Sequence, residues 1–181
     1  MFRGCFVEDA VRGTTHDRNL TSGWPASFVV SDRDVMSGTS GAMMAPMALV
    51  PDDLGPDHLA FLADRHLATL TTVRPDGTPH VAPVGFGYDP VAGLVRIITF
   101  EGSRKVRNLD AATAAADGGR AVVCQVDGAR WLALEGPAEV TRDPERVAAA
   151  VGAYAARYRQ PGEREDRVAI EIRVDRILGR A

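Results

Sequence analysis

Between Leu67 and Val140 the sequence is cut at short intervals by turn chemistry, and this punctuation restricts the fold more than any other feature. The stretch "RPDGTP" at 74–79 puts Pro75 at a first corner and Gly77 where a positive φ is useful; "DPVAG" at 89–93 and the pair Asp127-Gly128 repeat the signal. The runs between these turns are short and largely apolar, several of them rich in β-branched residues: "LATLTTV", "HVAPVGFGY", "LVRIITF", "RAVVCQV" and "RWLALEGPAEV". Tight turns join antiparallel neighbours, whereas a parallel partner needs a long crossover. A sixth run, "VAIEIRVDRI", sets Val168, Ile170, Ile172 and Val174 against Ala169, Glu171, Arg173 and Asp175. That alternation predicts one half-buried antiparallel strand.

Helical patterns flank these runs. In "GPDHLAFLADRH", Pro56 suits a first turn, Asp57 suits its positive end, and Leu59, Phe61 and Leu62 supply an apolar face. In "RDPERVAAAVGAYAARY", Asp143 can cap and Pro144 can start a helix whose apolar face is Val147, Val151, Tyr154 and Tyr158. The expected architecture is mainly β (α+β): a six-stranded antiparallel barrel with helices packed outside. Residues 1–52 lack such periodicity and carry Met36, Met43, Met44 and Met47 within a Gly-, Ser- and Pro-containing stretch. They read either as a disordered N-terminal extension or as residues ahead of the true start, with the folded domain at 53–181.

Composition removes several classes. A net charge of -3 and a pI near 5.8 argue against a dedicated nucleic-acid binder. Cys5 and Cys124 make no disulfide framework, so a cytoplasmic setting is expected. No apolar run reaches the ~18 residues of a membrane-spanning helix, and the first residues lack the apolar core of a secretory signal. His16, His58, His66 and His80 have no metal-ligand spacing, and no metal is expected. The Gly-rich dinucleotide and nucleotide motifs and the nucleophile elbow are also missing.

What remains is "ITFEGSRKVRNLD", residues 97–109. A strand ends at Phe100, Gly102-Ser103 follow, and Arg104, Lys105 and Arg107 crowd the start of a short helix that Ser103 can cap. Cations at a helix N-terminus oppose the helix dipole by roughly 0.3–1 kcal/mol each. The arrangement is therefore that of a phosphate or carboxylate site, or else of a solvated basic turn. Arg130 and Trp131 start a strand and point to opposite faces; the indole can stack on a planar ligand or fill a core. Pro83 and Gly85 interrupt "PHVAPVGF", either for close approach of a ligand to the backbone or at a barrel edge.

Taken together and in order, the segments "LAFLADRHLATLTTVRPDGTPHVAPVGFGYDP", "RIITFEGSRKVRN", "CQVDGARWLALEGPAEV", "YAARYRQP" and "VAIEIRVDRILG" resemble the F420-dependent reductases of the pyridoxamine 5'-phosphate oxidase-like split-barrel family. The resemblance covers the chain from about 54 to 181 and implies the following. The fold is a flavin-binding-type split β-barrel, and the assembly is a homodimer with shared sites. The cofactor is coenzyme F420, with FMN as the alternative. F420 lies against His80, Val81, Ala82, Pro83, Val84 and Gly85. Its tail passes Ile98, Thr99, Phe100 and Gly102, and Ser103, Arg104 and Lys105 hold its anionic groups. The turn Gln125, Gly128, Ala129, Arg130 and Trp131 arrives from the other subunit. The reaction is hydride transfer from reduced F420 to a conjugated acceptor, with biliverdin reduced to bilirubin. Arg130 stabilises developing negative charge, and Arg157 or Arg159 holds substrate carboxylates. The rival readings are an FMN-dependent pyridoxamine phosphate oxidase-like enzyme and a non-catalytic tetrapyrrole or cofactor carrier. The chain departs from the family pattern in a longer 109–124 segment and in Ala111, where the pattern has a basic residue.

Overall fold

Eight strands form where six were expected, because two of the six runs break. The computed structural model describes residues 48–115 and 118–181. Its strands are β1 (Ala68–Val73), β2 (Pro79–Val84), β3 (Gly87–Asp89), β4 (Leu94–Phe100), β5 (Arg120–Asp127), β6 (Arg130–Thr141), β7 (Arg167–Arg173) and β8 (Arg176–Arg180). The helices are α1 (Pro56–Ala63), α2 (Arg104–Ala114) and α3 (Pro144–Arg157). Pairing is antiparallel along the path β2-β1-β5-β6-β7-β4-β3, with β8 also on β6. The mainly-β architecture is therefore the expected one.

The first break falls at Gly85-Phe86. Phe86 is wholly buried, and its backbone is taken up by α3: its N–H donates to the Tyr158 hydroxyl at 3.3 Å, and its carbonyl accepts from Arg157 at 2.8 Å. A Cβ on Gly85 would lie 2.7 Å from the Tyr154 ring, and one on Gly87 would lie 2.7 Å from the Ala153 Cβ. The missing side chain at Gly85 thus makes room for a helix rather than for a ligand.

The second break separates β7 from β8, correcting the single strand expected there. The N–H of Val174 donates to the Gly93 carbonyl at 2.9 Å, and that of Asp175 to the Glu135 carbonyl at 3.0 Å. Around this point β6 changes partner: Trp131 to Glu135 pair with β8, and Ala138 to Thr141 pair with β7. Gly136 sits at the switch, where a Cβ would lie 1.9 Å from the Arg173 carbonyl oxygen. β7 is buried on both faces, not one, because α3 covers its outer side. Ala169 and Glu171 are buried, and the Glu171 carboxylate accepts from Arg146 at 3.0 Å and faces Arg96 at 3.4 Å.

Asp143 caps α3 by accepting from the Arg146 N–H at 2.9 Å, as its sequence suggests. The centre of the buried face, however, is Ala150, while Val147, Val151, Tyr154 and Tyr158 are half-buried. The small residue lets the helix approach the sheet, and the tyrosines reach over the β2–β3 break. Between β5 and β6 the corner residues are Gly128, at φ 59, and Ala129, one position later than the Asp127-Gly128 pair suggests. Leu49 exchanges hydrogen bonds with Ile177, so pairing already includes a residue from the 1–52 segment; residues 1–47 lie outside the described residues.

The core is filled from the inner faces of the strands by Leu70, Val95, Ile97, Val123, Leu132, Leu134, Ile170 and Ile172, closed by Phe61 of α1 and Leu109 of α2. The opposite face of β2, β1, β5 and β6 keeps Val73, Val81, Val126 and Trp131 between 37% and 58% exposed.

Candidate functional site

The start of α2 has the features of an anion site, by a route that differs from the expected one. Ser103 is the N-cap residue, but its side chain makes no capping hydrogen bond. Its hydroxyl instead accepts from the Thr99 hydroxyl at 3.2 Å. No acidic residue stands in the first turn. The helix is also longer than expected, at 11 residues, so its dipole is well developed. An uncapped N-terminus that carries Arg104 and Lys105 leaves backbone donors and positive charge on one spot.

His80 adjoins this spot. It pairs with Thr72 across β1 and β2, so their side chains lie on one face. The Thr72 hydroxyl accepts from the Asn108 amide at 2.9 Å in the interior, and Asn108 stands one helical turn beyond Arg104. The Nδ1 atom of His80 is buried and has no hydrogen-bond partner. Burial first, and then Arg74, Lys105 and Arg104, hold the His80 pKa below its ordinary value. Arg74 is held at the β1–β2 turn by the Thr78 hydroxyl at 3.1 Å and the Pro79 carbonyl at 2.5 Å. Neither Arg74 nor Arg104 makes an ion pair with a carboxylate among the described residues. Sequence reasoning missed Arg74, because "RPDGTP" was read only for its turn geometry. The hairpin register, Val73 opposite Pro79 and Thr72 opposite His80, was the available signal.

The other expected residues divide between places. Val81 and Pro83 face outward from β2; Ala82 and Val84 face the barrel side, where Val84 is buried. Thr99 points to the core side of β4, whereas Ile98 and Phe100 point to the side covered by α3 and the loop after it. The Arg164 guanidinium lies 4.8 Å from the centre of the Phe100 ring. Gly102 is exposed at the turn.

Two expectations are corrected. Gln125 is fully buried, its side chain donating to the Phe61 carbonyl at 2.7 Å and accepting from Arg157 at 2.6 Å, so it offers a ligand no side-chain contact. Arg157, expected to hold substrate carboxylates, is instead engaged by the fold: it donates to the carbonyls of Asp64 and Phe86 and to Gln125, and stacks 4.1 Å from the Phe86 ring centre, which occupies most of its N–H donors. Arg130 and Trp131 do point to opposite faces. Arg130 pairs with Asp127 at 2.5 Å and lies 5.0 Å from the Phe61 ring centre; Trp131 joins the exposed apolar face.

The register separates these groups within one chain. His80 aligns with Thr72 and Ala121, whereas Val84 aligns with Ala68 and Gln125. At ~3.3 Å per residue the second row is about 13 Å from the first, and the Gly128 corner is about 23 Å away. One chain thus brings together His80, Ser103, Arg104 and Lys105, and keeps Gly128, Ala129, Arg130 and Trp131 at the far end of the sheet. Among the described residues no group of three or more His, Cys, Asp or Glu could hold a metal ion.

Comparison with known proteins adds to this geometry. The family model described as pyridoxamine 5'-phosphate oxidase matches residues 54–181. A protein of Mycobacterium tuberculosis (strain CDC 1551 / Oshkosh) named F420H(2)-dependent biliverdin reductase is 50% identical over 128 residues, 71% of this chain and 89% of that one. A solved structure named as an F420 reductase is 25% identical, with a TM-score of 0.55, over 69% of this chain and 98% of that chain. A heme storage protein of Vibrio cholerae shares the fold, with a TM-score of 0.56 at 16% identity over 70% of this chain and 94% of that chain.

Proposed function

The chain belongs to the pyridoxamine 5'-phosphate oxidase family, and we propose that within it this protein is an F420-dependent reductase that reduces a conjugated acceptor, biliverdin to bilirubin. The observation that carries this reading is the extent of identity with the mycobacterial reductase, which runs through most of both chains. The uncapped, basic start of α2 and the orphaned Nδ1 of His80 fit the anionic groups of the cofactor. Reduced F420, when bound, supplies the hydride. The chain's own residues bind and orient: Arg104, Lys105 and the first-turn amides of α2 hold the phosphate, with Ser103 and Gly102 shaping the turn. β2, from His80 to Val84, supports the ring system.

The site is completed by a second copy of the chain. Val73, Val81, Val126 and Trp131 form an exposed apolar sheet face, and such faces mark association surfaces. A C2 dimer through that face carries the Gly128–Trp131 corner of one protomer to the α2 start of the other. Arg130 arrives there with its charge already partly met by Asp127, which makes it a hydrogen-bond donor to the acceptor more than a net cation. A cytoplasmic setting suits the free thiol of Cys124.

The test is titration of the purified protein with F420 and with FMN, followed by reoxidation of reduced F420 with biliverdin and with other conjugated acceptors. F420 is expected to bind and bilirubin to form, with little turnover from NADPH. Turnover with FMN and no binding of F420 overturns the cofactor assignment; binding of F420 with inert biliverdin and a reduced quinone overturns only the acceptor. Light scattering is expected to give a dimer. Trp131→Ala should weaken the dimer and lower turnover while leaving the circular dichroism spectrum intact. Destabilisation of the single chain by about 3–5 kcal/mol, the cost of emptying a core aromatic site, would place Trp131 in the core instead.

A further inference from the structure

The corner where β1 turns into β2 and meets α2 gathers more positive charge than the reading above uses. Arg74 directly follows β1, His80 lies on β2 beside it, and Arg104 and Lys105 open α2. The buried bond from Asn108 to Thr72 locks α2 against the pair of strands, so these side chains hold a common place in the fold. Arg74 is oriented by its bonds to Thr78 and Pro79 through one Nη atom, and the neighbouring carboxylate, Asp76, is turned onto the N–H and hydroxyl of Thr78. The charged groups that face His80 are Arg74 from the turn and Lys105 and Arg104 from the helix, all of one sign. A buried imidazole nitrogen with no partner among three cations is costly, and protonation is disfavoured first by burial and then by repulsion from the three cations.

An anion reverses that balance. Placed between α2 and the hairpin, it offers the missing acceptor and cancels the repulsion, so the imidazole can take a proton from solvent and donate from it. We propose that Arg74 and His80 form, with Arg104 and Lys105, a single anion cradle in which His80 binds as a cation, so that each phosphate-bearing ligand brings one proton into the protein. The proposal rests on the cofactor reading for the identity of the natural ligand, but the cradle itself is specified only by its chemistry, a phosphate or phosphodiester. The sign follows from linkage. The bound state holds more protons than the free state between the two His80 midpoints, so affinity rises as pH falls, by up to about tenfold per pH unit in that window.

The experiment is an NMR titration of the His80 C2–H signal in the full chain, assigned by its loss in His80→Asn. It is run alone, with saturating F420 and with inorganic pyrophosphate. Calorimetry in two buffers of different ionisation enthalpy counts the protons taken up with F420. The midpoint is expected below 6.5 in the free protein and higher with either ligand, with close to one proton taken up at a pH between the two midpoints. His80→Asn is expected to flatten the pH dependence of the F420 Kd, and Arg74→Ala to weaken both ligands about tenfold with the circular dichroism spectrum unchanged. F420 binding with no proton uptake and an unmoved His80 midpoint overturns the cradle and leaves the cofactor assignment standing. No F420 binding, with a midpoint raised by pyrophosphate, does the opposite. An unmoved midpoint with both ligands overturns the cradle outright.

Discussion

Lys105→Ala is expected to weaken F420 binding by about 1.5–3 kcal/mol, roughly 10- to 150-fold in Kd, with the protein still folded. That is the scale of a charge-assisted hydrogen bond to a phosphate, and the location argues for its upper half. Ser103 turns its hydroxyl to Thr99 instead of capping α2, and no acid stands in the first turn, so an anion bound here would satisfy this end of the helix. A thermal melt of the unliganded variant separates the loss of affinity from any change in stability. The same contact predicts that affinity falls as salt rises, because the exposed part of the site is screened. Fluorescence titration of F420 against the wild type and the variant, with a thermal melt of each, reads both effects. Equal affinity in a folded variant would return residues 103–107 to a solvated basic turn.

Arg157→Ala is expected to destabilise the fold by about 2–4 kcal/mol, without any contact to substrate having been lost. The guanidinium serves three elements at once: the Asp64 carbonyl after α1, the Phe86 carbonyl at the β2–β3 break, and the side chain of Gln125 on β5. The Asp64 carbonyl is at the surface and can turn to water, so its loss costs little. The Phe86 carbonyl and the wholly buried Gln125 amide have no such recourse, and each unsatisfied acceptor costs about 1–3 kcal/mol. Stacking on Phe86 is lost as well. Arg157→Lys keeps the charge but not the planar fork, and should recover only part of the loss. Urea denaturation reads the difference. A change under about 0.5 kcal/mol, the range of ordinary surface substitutions, would show that Arg157 is dispensable to the fold and reopen a role at the substrate.

The two parts of the molecule on which these predictions rest were legible to different degrees. The basic turn at 103–107 stands out in the sequence because it conflicts with local helix electrostatics, and a local conflict needs only local reading. Gln125 and Arg157 looked like site residues because they are polar and lie within matching segments. Whether a polar side chain meets a ligand or another buried polar group is set by what folds over it, and α1 and α3 fold over these two. Gly85 leaves a ligand approach and a barrel edge equally open for the same reason; the tyrosines that fill the space come from about seventy residues later in the chain.

The sequence by itself determined most of the elements. Turn residues at 75–77, 89–93 and 127–128, alternation in the runs between them, and the Asp143-Pro144 start of α3 act over a few residues, through backbone sterics and hydrogen bonds that need no distant partner. It also determined that Arg130 and Trp131 part company, because strand geometry alone puts successive residues on opposite faces. Only the tertiary structure decided where strands end and which faces are covered. β6 exchanges β8 for β7 at Gly136 because the Arg173 carbonyl passes where a side chain would be, and β7 is buried on both faces because α3 lies across it. It decided, too, that Arg74 joins His80 and the start of α2, while the Gly128 corner stands at the far end of the same sheet. Register and packing relate residues distant in the chain, and the free energy that selects them comes from burying faces against one another, which no short stretch of sequence contains.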